Sequence, residues 1–331
     1  MSSGAAEWAN GDAAVPRSGA AAGCDGYFHE TALYSSDEEF LAIAEPFLRG
    51  GQEAGEPTIV SCAVPNASLI RAALDDIDGI TFTPAESRYV NPASTIRAYR
   101  QHFARLVDRG ATQIRVIGDV PHPGAGVPWE NWARYEGAVN HAFDDFPVWG
   151  VCPYDLRTTP EEVVEDVIRL HPRLFAEGEH HENHHFTDPA DVLARLQPAP
   201  EPIEWTPPHV QALDPTPAFG RQLAGDLART AGLPAAEMSD LEIAVSEVVT
   251  NARAYGTRPV ELRGWSTPGR VVVRVHDAGT GPTDPFVGLV EPQVNGTSGR
   301  GLWIAHQLCT DTSLWRDDTG FTVRLIAGSL R

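Results

Sequence analysis

Lysine is absent from this chain of 331 residues, and every basic side chain other than histidine is arginine. This absence excludes mechanisms that depend on a lysine amine, such as the phosphate-binding lysine of a P-loop or a Schiff base. Acidic residues number 45 against 25 basic ones, which gives a formal net charge of −20. Because such a charge repels a phosphate backbone, we expect no direct nucleic-acid partner.

Cysteine and long apolar runs are also scarce. The four cysteines show no CxxC spacing, so they predict neither a zinc ribbon nor a disulfide framework. No run of about 18 apolar residues could cross a membrane, and no basic start followed by an apolar segment indicates a signal peptide. These absences favour a cytoplasmic protein with reduced thiols.

The length and the proline content divide the chain. A chain of 331 residues exceeds what one core usually organises, so we expect two domains. Residues 1–22, rich in Ala, Gly and Ser, predict a disordered leader. Prolines exclude a helix or a central strand between 198 and 217 and predict a stiff linker there. They lie at positions 198, 200, 202, 207, 208, 215 and 217. The predicted domains are therefore 23–197 and 218–331.

The N-terminal domain alternates buried strands with amphipathic helices. The predicted strands are 58–64, 114–119 and 148–152, and the predicted helices are 68–74, 92–108, 129–143 and 160–170. This alternation predicts an α/β domain with a mostly parallel sheet covered on both faces.

The C-terminal domain groups its helices and strands differently. The predicted helices are 218–231, 235–255 and 301–309, and the predicted strands are 260–266, 270–276, 312–316 and 319–326. Helices followed by antiparallel strands predict an α+β sandwich.

Two polar residues on the second C-terminal helix could serve a nucleotide. Glu247 and Asn251 are four residues apart, so they share one helix face. A carboxylate there can act as a base, and an amide oxygen one turn later can ligate Mg²⁺. An exposed polar stripe would show the same spacing, and the pair alone does not decide between these two interpretations.

Two glycine-rich motifs complete the candidate site. Asp277 ends a strand and precedes Gly279 and Gly281, so its carboxylate could accept a hydrogen bond from the adenine amine, although an aspartate-capped turn is the commoner use of this pattern. Gly299-Arg300-Gly301 opens a helix whose free N–H groups attract phosphate. Without lysine, these amides, Mg²⁺ and Arg300 would have to neutralise the phosphates. Residues 282–298 could close over them as a lid.

The motifs at 247–252, 277–281 and 299–302, in this order, resemble the GHKL superfamily of ATPases and kinases, and within it the anti-sigma-factor serine kinases. The resemblance covers residues 216–327 and implies ATP and Mg²⁺ as cofactors. It implies these roles: catalytic carboxylate for Glu247, Mg²⁺ ligand for Asn251, adenine recognition for Asp277 with Thr322 nearby, and glycines 279, 281, 299 and 301 around the nucleotide. It also implies a sigma factor or an anti-anti-sigma-like protein as partner, and a possible homodimer.

Two other functions fit the same domain. One is a non-catalytic scaffold in which ATP only shapes a docking surface. The other is a sensor histidine kinase, which needs a helical hairpin carrying a phosphoacceptor histidine immediately upstream. Here the upstream segment is rich in proline, and His209 follows Pro207 and Pro208, where a continuous helix is disfavoured. The sequence therefore favours the serine kinase over the histidine kinase.

The N-terminal half resembles the MEDS sensory domain over residues 26–196. The resemblance rests on Gly26-Tyr27-Phe28-His29-Glu30, on Asp37-Glu38-Glu39-Phe40 and on Cys152-Pro153-Tyr154-Asp155. It implies a RecA-like fold that senses an unknown small molecule. The chain contains no GxxxxGK[ST] motif, so we expect no nucleotide hydrolysis in this half.

Histidines raise a further possibility in the N-terminal half. Residues 180–185 contain four histidines, a density that can indicate a zinc or iron site, although solvated histidines are the ordinary case in such a polar stretch. For His29, contact with a ligand and simple core packing remain open alternatives.

Overall fold

The computed structural model describes residues 17–76, 78–292 and 299–329. The N-terminal half is built around a seven-stranded sheet. Its strands are β1 (Phe28–Tyr34), β2 (Thr58–Ser61), β3 (Ile80–Phe82), β4 (Ile114–Gly118), β5 (Val148–Asp155), β6 (Arg173–Ala176) and β7 (Glu179–Glu182). They lie in the order β3-β2-β4-β5-β1-β6-β7, and all neighbours are parallel except β6 and β7.

Seven helices pack on this sheet. They are α1 (Asp37–Glu53), α2 (Val64–Ala73), α3 (Ala85–Arg88), α4 (Pro92–Val107), α5 (Trp129–Ala142), α6 (Glu161–Leu170) and α7 (Pro189–Leu193). Capping side chains fix where two of the longer helices begin: Ser36 accepts from the Glu39 N–H, and Asn91 accepts from the Ser94 N–H. Apolar residues of the helices and strands form two large clusters, one on each face of the sheet.

The C-terminal half is an antiparallel sheet with three helices on one face. Its strands are β8 (Val210–Leu213), β9 (Val260–Thr267), β10 (Arg270–Asp277), β11 (Asp311–Asp317) and β12 (Gly320–Gly328), in the order β11-β12-β10-β9-β8. The helices are α8 (Pro217–Ala231), α9 (Ala235–Tyr255) and α10 (Arg300–Leu308). Their apolar faces and the inner face of the sheet share one core.

The structure confirms a mostly parallel N-terminal sheet and an antiparallel C-terminal α+β layer. It adds five strands that the sequence does not predict: β1, β3, β6, β7 and β8. The last of these lies within the predicted linker, where flanking prolines at 207, 208 and 215 confine it to the edge of the sheet. None of the described helices combines the length and the apolarity that crossing a membrane requires.

The predicted leader needs a correction over its last residues. Residues 1–16 lie outside the described part of the chain, but residues 17–22 are packed against the N-terminal domain. Gly19–Ala21 form a 3-10 turn, and Ala21 is fully buried. Arg17 donates to the carbonyl oxygens of Cys24, Gly26 and Val148, so this segment is tied down by polar contacts that its composition does not indicate.

The two halves share an interface built on α5. The segment that follows β10, residues 282–292, leaves the C-terminal domain and packs on this helix; we call it the lid segment. Its Leu289 is 2% exposed and belongs to an apolar cluster of the N-terminal domain, which Phe286 also contacts. A side chain of the C-terminal domain thus completes a core of the N-terminal domain.

Arg134 on α5 holds both the lid segment and the C-terminal sheet. Its guanidinium donates to the Pro285 carbonyl at 3.0 Å and to the Leu314 carbonyl on β11 at 2.9 Å. Burial lowers the pKa of Arg134 from its ordinary value, but an arginine stays charged at neutral pH. Two carbonyls of one domain, that of partly buried Pro285 and that of buried Leu314, therefore depend on one cation of the other.

We expect Arg134→Met to loosen the lid segment without unfolding either domain. Methionine retains length but removes both donors, and a buried carbonyl left without a partner costs about 1–3 kcal/mol. Hydrogen exchange measured by mass spectrometry should become faster over residues 284–290. Arg97→Met is the matched control, because Arg97 is an exposed arginine that contacts Trp303 and Gln307 of the other domain and not the lid segment as the structure describes it. Equal exchange rates in the two variants would contradict the assigned role of Arg134.

Candidate functional site

A cavity of about 240 Å³ lies in the C-terminal domain between α9, strands β10 and β12, and the beginning of α10. This volume is near the lower end of the range for ligand pockets. The lining residues are Val248, Asn251, Ala252, Tyr255, Gly256, Val275, Asp277, Gly281, Pro282, Val287, Gly299, Leu302, Phe321 and Val323. Apolar walls with a few polar groups are typical of a site for a flat heterocycle.

Asp277 is the polar group at the base of this cavity. It is 4% exposed, and its Oδ1 accepts from the backbone N–H groups of Thr257 at 2.9 Å and Gly279 at 2.8 Å. These two bonds fix the carboxylate. Its Oδ2 makes no hydrogen bond to the described residues, so it is available to accept one from a ligand that carries an N–H group, such as the adenine amine.

Glu247 and Asn251 lie together on α9 beside the beginning of α10. A Cβ atom at Gly301 would lie 2.8 Å from both the Glu247 Oε2 and the Asn251 Nδ2, so the start of α10 lies directly against these two side chains. Neither side chain forms a hydrogen bond within the described part of the chain, and both are partly exposed. An amide oxygen and a carboxylate that are free and adjacent suit a hard cation such as Mg²⁺.

The start of α10 supplies the group that would face phosphate. Gly299 caps the helix with φ +83° and lines the cavity, which places the free N–H groups of the first turn beside Asn251. Arg300 is exposed at this helix end. The arrangement therefore combines an amine acceptor, a cation ligand and an anion-binding helix end around one cavity.

The lid segment covers α10 on the side of the cavity. A Cβ atom at Gly288 would lie 2.8 Å from the His306 ring, so the lid lies directly on the helix. Burial, together with nearby Arg134, lowers the pKa of His306 to about 3, so this imidazole is neutral at physiological pH. The remainder of the predicted lid, residues 293–298, lies outside the described part of the chain.

Most of the predicted site residues converge on this cavity. Asn251, Asp277, Gly281 and Gly299 line it, and the others except Thr322 border it: Glu247, Gly279, Arg300 and Gly301.

Thr322 is the exception, because side chains alternate between the faces of a strand. Thr322 pairs with His276 on the opposite face and its Oγ1 bonds to that ring at 2.9 Å, so the prediction that it lies near adenine is corrected. Phe321 and Val323 reach the cavity instead, and the strand alternation beginning at Asp277 could have indicated them.

The histidine tract does not form a metal cluster within the described residues. Residues 179–182 form β7, where the His180 Nδ1 meets the Glu30 Oε2 at 2.8 Å and His181 lies near the Ala176 carbonyl. The strand places these neighbouring histidines on opposite faces. His29, in contrast, is buried beside Glu136, a residue that the sequence analysis does not single out.

Two family models match the chain, one for each half. Residues 28–172 match the MEDS model, the methanogen/methylotroph DcmR sensory domain, and residues 215–327 match a histidine kinase-like ATPase domain. The chain thus joins a MEDS domain to an ATPase domain of the histidine kinase-like fold. The anti-sigma-factor subtype and the RecA-like relation of the N-terminal half stay predictions.

Individual proteins are similar over part of the chain. The transcriptional repressor DcmR of Methylorubrum extorquens is 25% identical over 164 residues, which cover 45% of this chain and 61% of that protein. The histidine kinase domain of the E. coli osmosensor EnvZ, an NMR structure, is 17% identical over 38% of this chain and 92% of that domain, with a TM-score of 0.22. A TM-score this low carries no argument about the fold.

We expect Asp277→Asn to weaken ATP binding while preserving the fold. The two backbone donors require the asparagine oxygen at the Oδ1 position, which turns an NH₂ group toward the cavity and toward the adenine amine. A mispaired buried polar group costs about 1–3 kcal/mol, or roughly 10–100-fold in affinity. Calorimetry with ATP and with ITP, whose base carries a carbonyl instead of the amine, checks this. The variant should lose the preference for ATP over ITP, and an unchanged preference would show that Asp277 does not contact the base.

We expect Asn251→Ala to lose the Mg²⁺-dependent part of ATP affinity, because it removes an oxygen ligand from a partly exposed helix face. The loss should be about 10-fold or more if the ligand contributes like other charge-assisted contacts. Thr250→Ala is the control, since its exposed hydroxyl bonds only to the Ser246 carbonyl on the same helix. ATP affinity is measured with and without Mg²⁺ for both variants. If Mg²⁺ raises it equally in Asn251→Ala and Thr250→Ala, Asn251 is not a Mg²⁺ ligand.

Proposed function

We propose that this protein is a signalling regulator in which the MEDS domain senses a small molecule and controls a C-terminal domain that binds ATP and Mg²⁺. The C-terminal domain acts as a protein kinase that phosphorylates serine or threonine in a partner. The single observation that supports this most strongly is the convergence of Asp277, Asn251, Glu247 and the start of α10 on one cavity. Each of these features could be purely structural, but together they match the chemistry of a nucleoside triphosphate.

Each residue has a separate task in this proposal. Asp277 recognises the base, Asn251 holds Mg²⁺ against the phosphates, and the first turn of α10 binds the phosphate oxygens. Glu247 accepts the proton of the attacking hydroxyl. As the hydroxyl oxygen bonds to the γ-phosphorus, the bond between the γ-phosphorus and the β-phosphate oxygen breaks. No lysine is needed, because the helix end and Mg²⁺ balance the negative charge.

The surroundings of His209 support a serine or threonine acceptor rather than a histidine. The residues that precede α8 form the edge strand β8, not a helical hairpin. The His209 Nδ1 accepts from the Ser266 N–H at 3.1 Å, which holds this ring on the sheet edge. Analogy with the serine kinases suggests a sigma factor or an anti-anti-sigma-like protein as partner, and this partner assignment is part of the proposal.

Glu247→Gln should retain ATP and lose most of the turnover, because the amide preserves shape but cannot accept the proton. A general base typically contributes about 10²–10⁴-fold in rate. Glu237→Gln is the matched control, since Glu237 is exposed in the first turn of the same helix. Radiolabelled ATP and a candidate partner give the rate, and acid treatment distinguishes stable phosphoserine or phosphothreonine from labile phosphohistidine.

Two results would contradict this proposal. Turnover no higher than background in both the Glu247→Gln and the Glu237→Gln variant would favour the non-catalytic scaffold, in which bound ATP only shapes a docking surface. Acid-labile label would favour the histidine kinase.

A further inference from the structure

The N-terminal domain contains a second polar cluster, which is buried and separate from the nucleotide cavity. Four side chains bring their ligand atoms within 4.8 Å of one another: His29 on β1, Glu136 on α5, Cys152 on β5 and His171 after α6. The first two and His171 are at most 1% exposed, and Cys152 is 8% exposed. Polar groups this deeply buried need partners, so the cluster requires an explanation.

Hydrogen bonds at the far side of each imidazole fix its tautomer. The His171 Nδ1 lies 2.7 Å from the Val167 carbonyl, which can only accept, so this nitrogen carries the proton. The His29 Nδ1 lies 2.9 Å from the Asn140 Oδ1, and the Asn140 amide orientation is set because its Nδ2 donates to the Leu170 carbonyl at 3.0 Å. Both Nε2 atoms therefore present lone pairs to the cluster, as in histidines that ligate a metal.

These lone pairs face another acceptor. The Glu136 Oε2 lies 3.4 Å from the His29 Nε2 and 3.5 Å from the His171 Nε2, and the His171 Nε2 has no hydrogen-bond partner among the described residues. The Cys152 thiol offers one proton to three acceptors, and a cation at the centre would satisfy all four groups.

The spacing suits a tetrahedral ion. Metal bonds of about 2.0–2.1 Å to nitrogen or oxygen and about 2.3 Å to sulfur place tetrahedral ligands about 3.3–3.6 Å apart. The Cys152 Sγ–His29 Nε2 distance of 3.5 Å and the two histidine–glutamate distances fall within that range, and the Cys152 Sγ–Glu136 Oε2 distance of 3.8 Å is slightly longer. With a thiolate and a carboxylate, a divalent ion gives a site with no net charge, which burial favours.

We propose that His29, Glu136, Cys152 and His171 bind one divalent transition-metal ion, zinc being the best match, and that its occupancy positions α5 against the lid segment. Nitrogen, oxygen and sulfur ligands in tetrahedral spacing select zinc or a similar ion over Mg²⁺ or Ca²⁺. Binding releases the thiol proton, so the sulfur bonds to the metal as thiolate.

The proposed ligand Glu136 is adjacent in sequence to the residue of α5 that contacts the lid segment. Gly137 follows Glu136 on α5, and a Cβ atom there would lie 3.0 Å from the Phe286 ring, so the helix backbone and this ring are in close contact. Val287, the next residue of the lid segment, lines the nucleotide cavity. A metal that fixes Glu136 therefore fixes the helix turn that packs on the lid.

The test uses the full chain, freed of metal with a chelator and titrated with Co²⁺, which reports tetrahedral and thiolate coordination by its absorption. One equivalent should bind, with visible bands of a tetrahedral ion and a thiolate charge-transfer band that Cys152→Ser removes. His171→Ala should weaken binding by more than the roughly 10–100-fold that loss of a metal-orienting partner costs. A control variant with His181, His184 and His185 all changed to Ala should bind like the unchanged protein.

Three outcomes would overturn the proposal. The first is an absence of cobalt bands in the unchanged protein, a result that does not depend on how any variant folds. The second is binding that is lost in the His181, His184 and His185 variant and kept in His171→Ala, which assigns the ion to the surface tract. Finally, hydrogen exchange over residues 284–290, measured without nucleotide, should slow when Zn²⁺ is added, and an unchanged rate in a protein that binds Zn²⁺ overturns the effect on the lid. None of these readouts requires ATP binding.

Discussion

The packing of the lid segment on α5 is the contact on which the organisation of this protein depends. Leu289 completes an apolar cluster of the N-terminal domain, Phe286 lies against Gly137, and Arg134 binds two carbonyls across the interface. The same lid segment borders the nucleotide cavity through Val287. The two domains therefore cannot move apart without changing the wall of the cavity, and in the proposed function this contact is the route from the sensing domain to the bound nucleotide.

Close backbone approach explains the C-terminal site. Gly301 brings the start of α10 against Glu247 and Asn251, and the Gly279 N–H fixes the Asp277 carboxylate. The chemistry thus depends on main-chain positions as much as on side chains, which suits a chain without lysine. Carboxylates and a helix N-terminus lie near each other here, and Mg²⁺ would suit the first and phosphate the second.

Regular elements could be predicted from the sequence because their periodicity is local. Helices α4, α5, α9 and α10 and strands β9 and β10 lie within a residue or two of the predicted positions. The histidine tract is harder to interpret, since only its first residues, 180–182, belong to a hairpin, β6 to β7, whose turn at Glu177 and Gly178 is the local signal.

The site residues also differ in whether their positions can be predicted from the sequence. Those in ordered motifs could be predicted, whereas Thr322 was misplaced because one step along a strand reverses the face. Glu136 could not be found, since its partners His29, Cys152 and His171 are distant in sequence and meet only when the sheet forms. In the structure α5 is buried on nearly all sides, as a helix between two layers is.

Hydrogen exchange of the full-length protein with and without ATP and Mg²⁺ tests the central claim most directly. If the lid segment connects the nucleotide cavity to α5, ATP with Mg²⁺ will slow exchange in residues 282–292 and also in 129–142 of the other domain. Protection confined to α9 and α10, with α5 unchanged, would contradict the account, because the two domains would then bind their ligands independently.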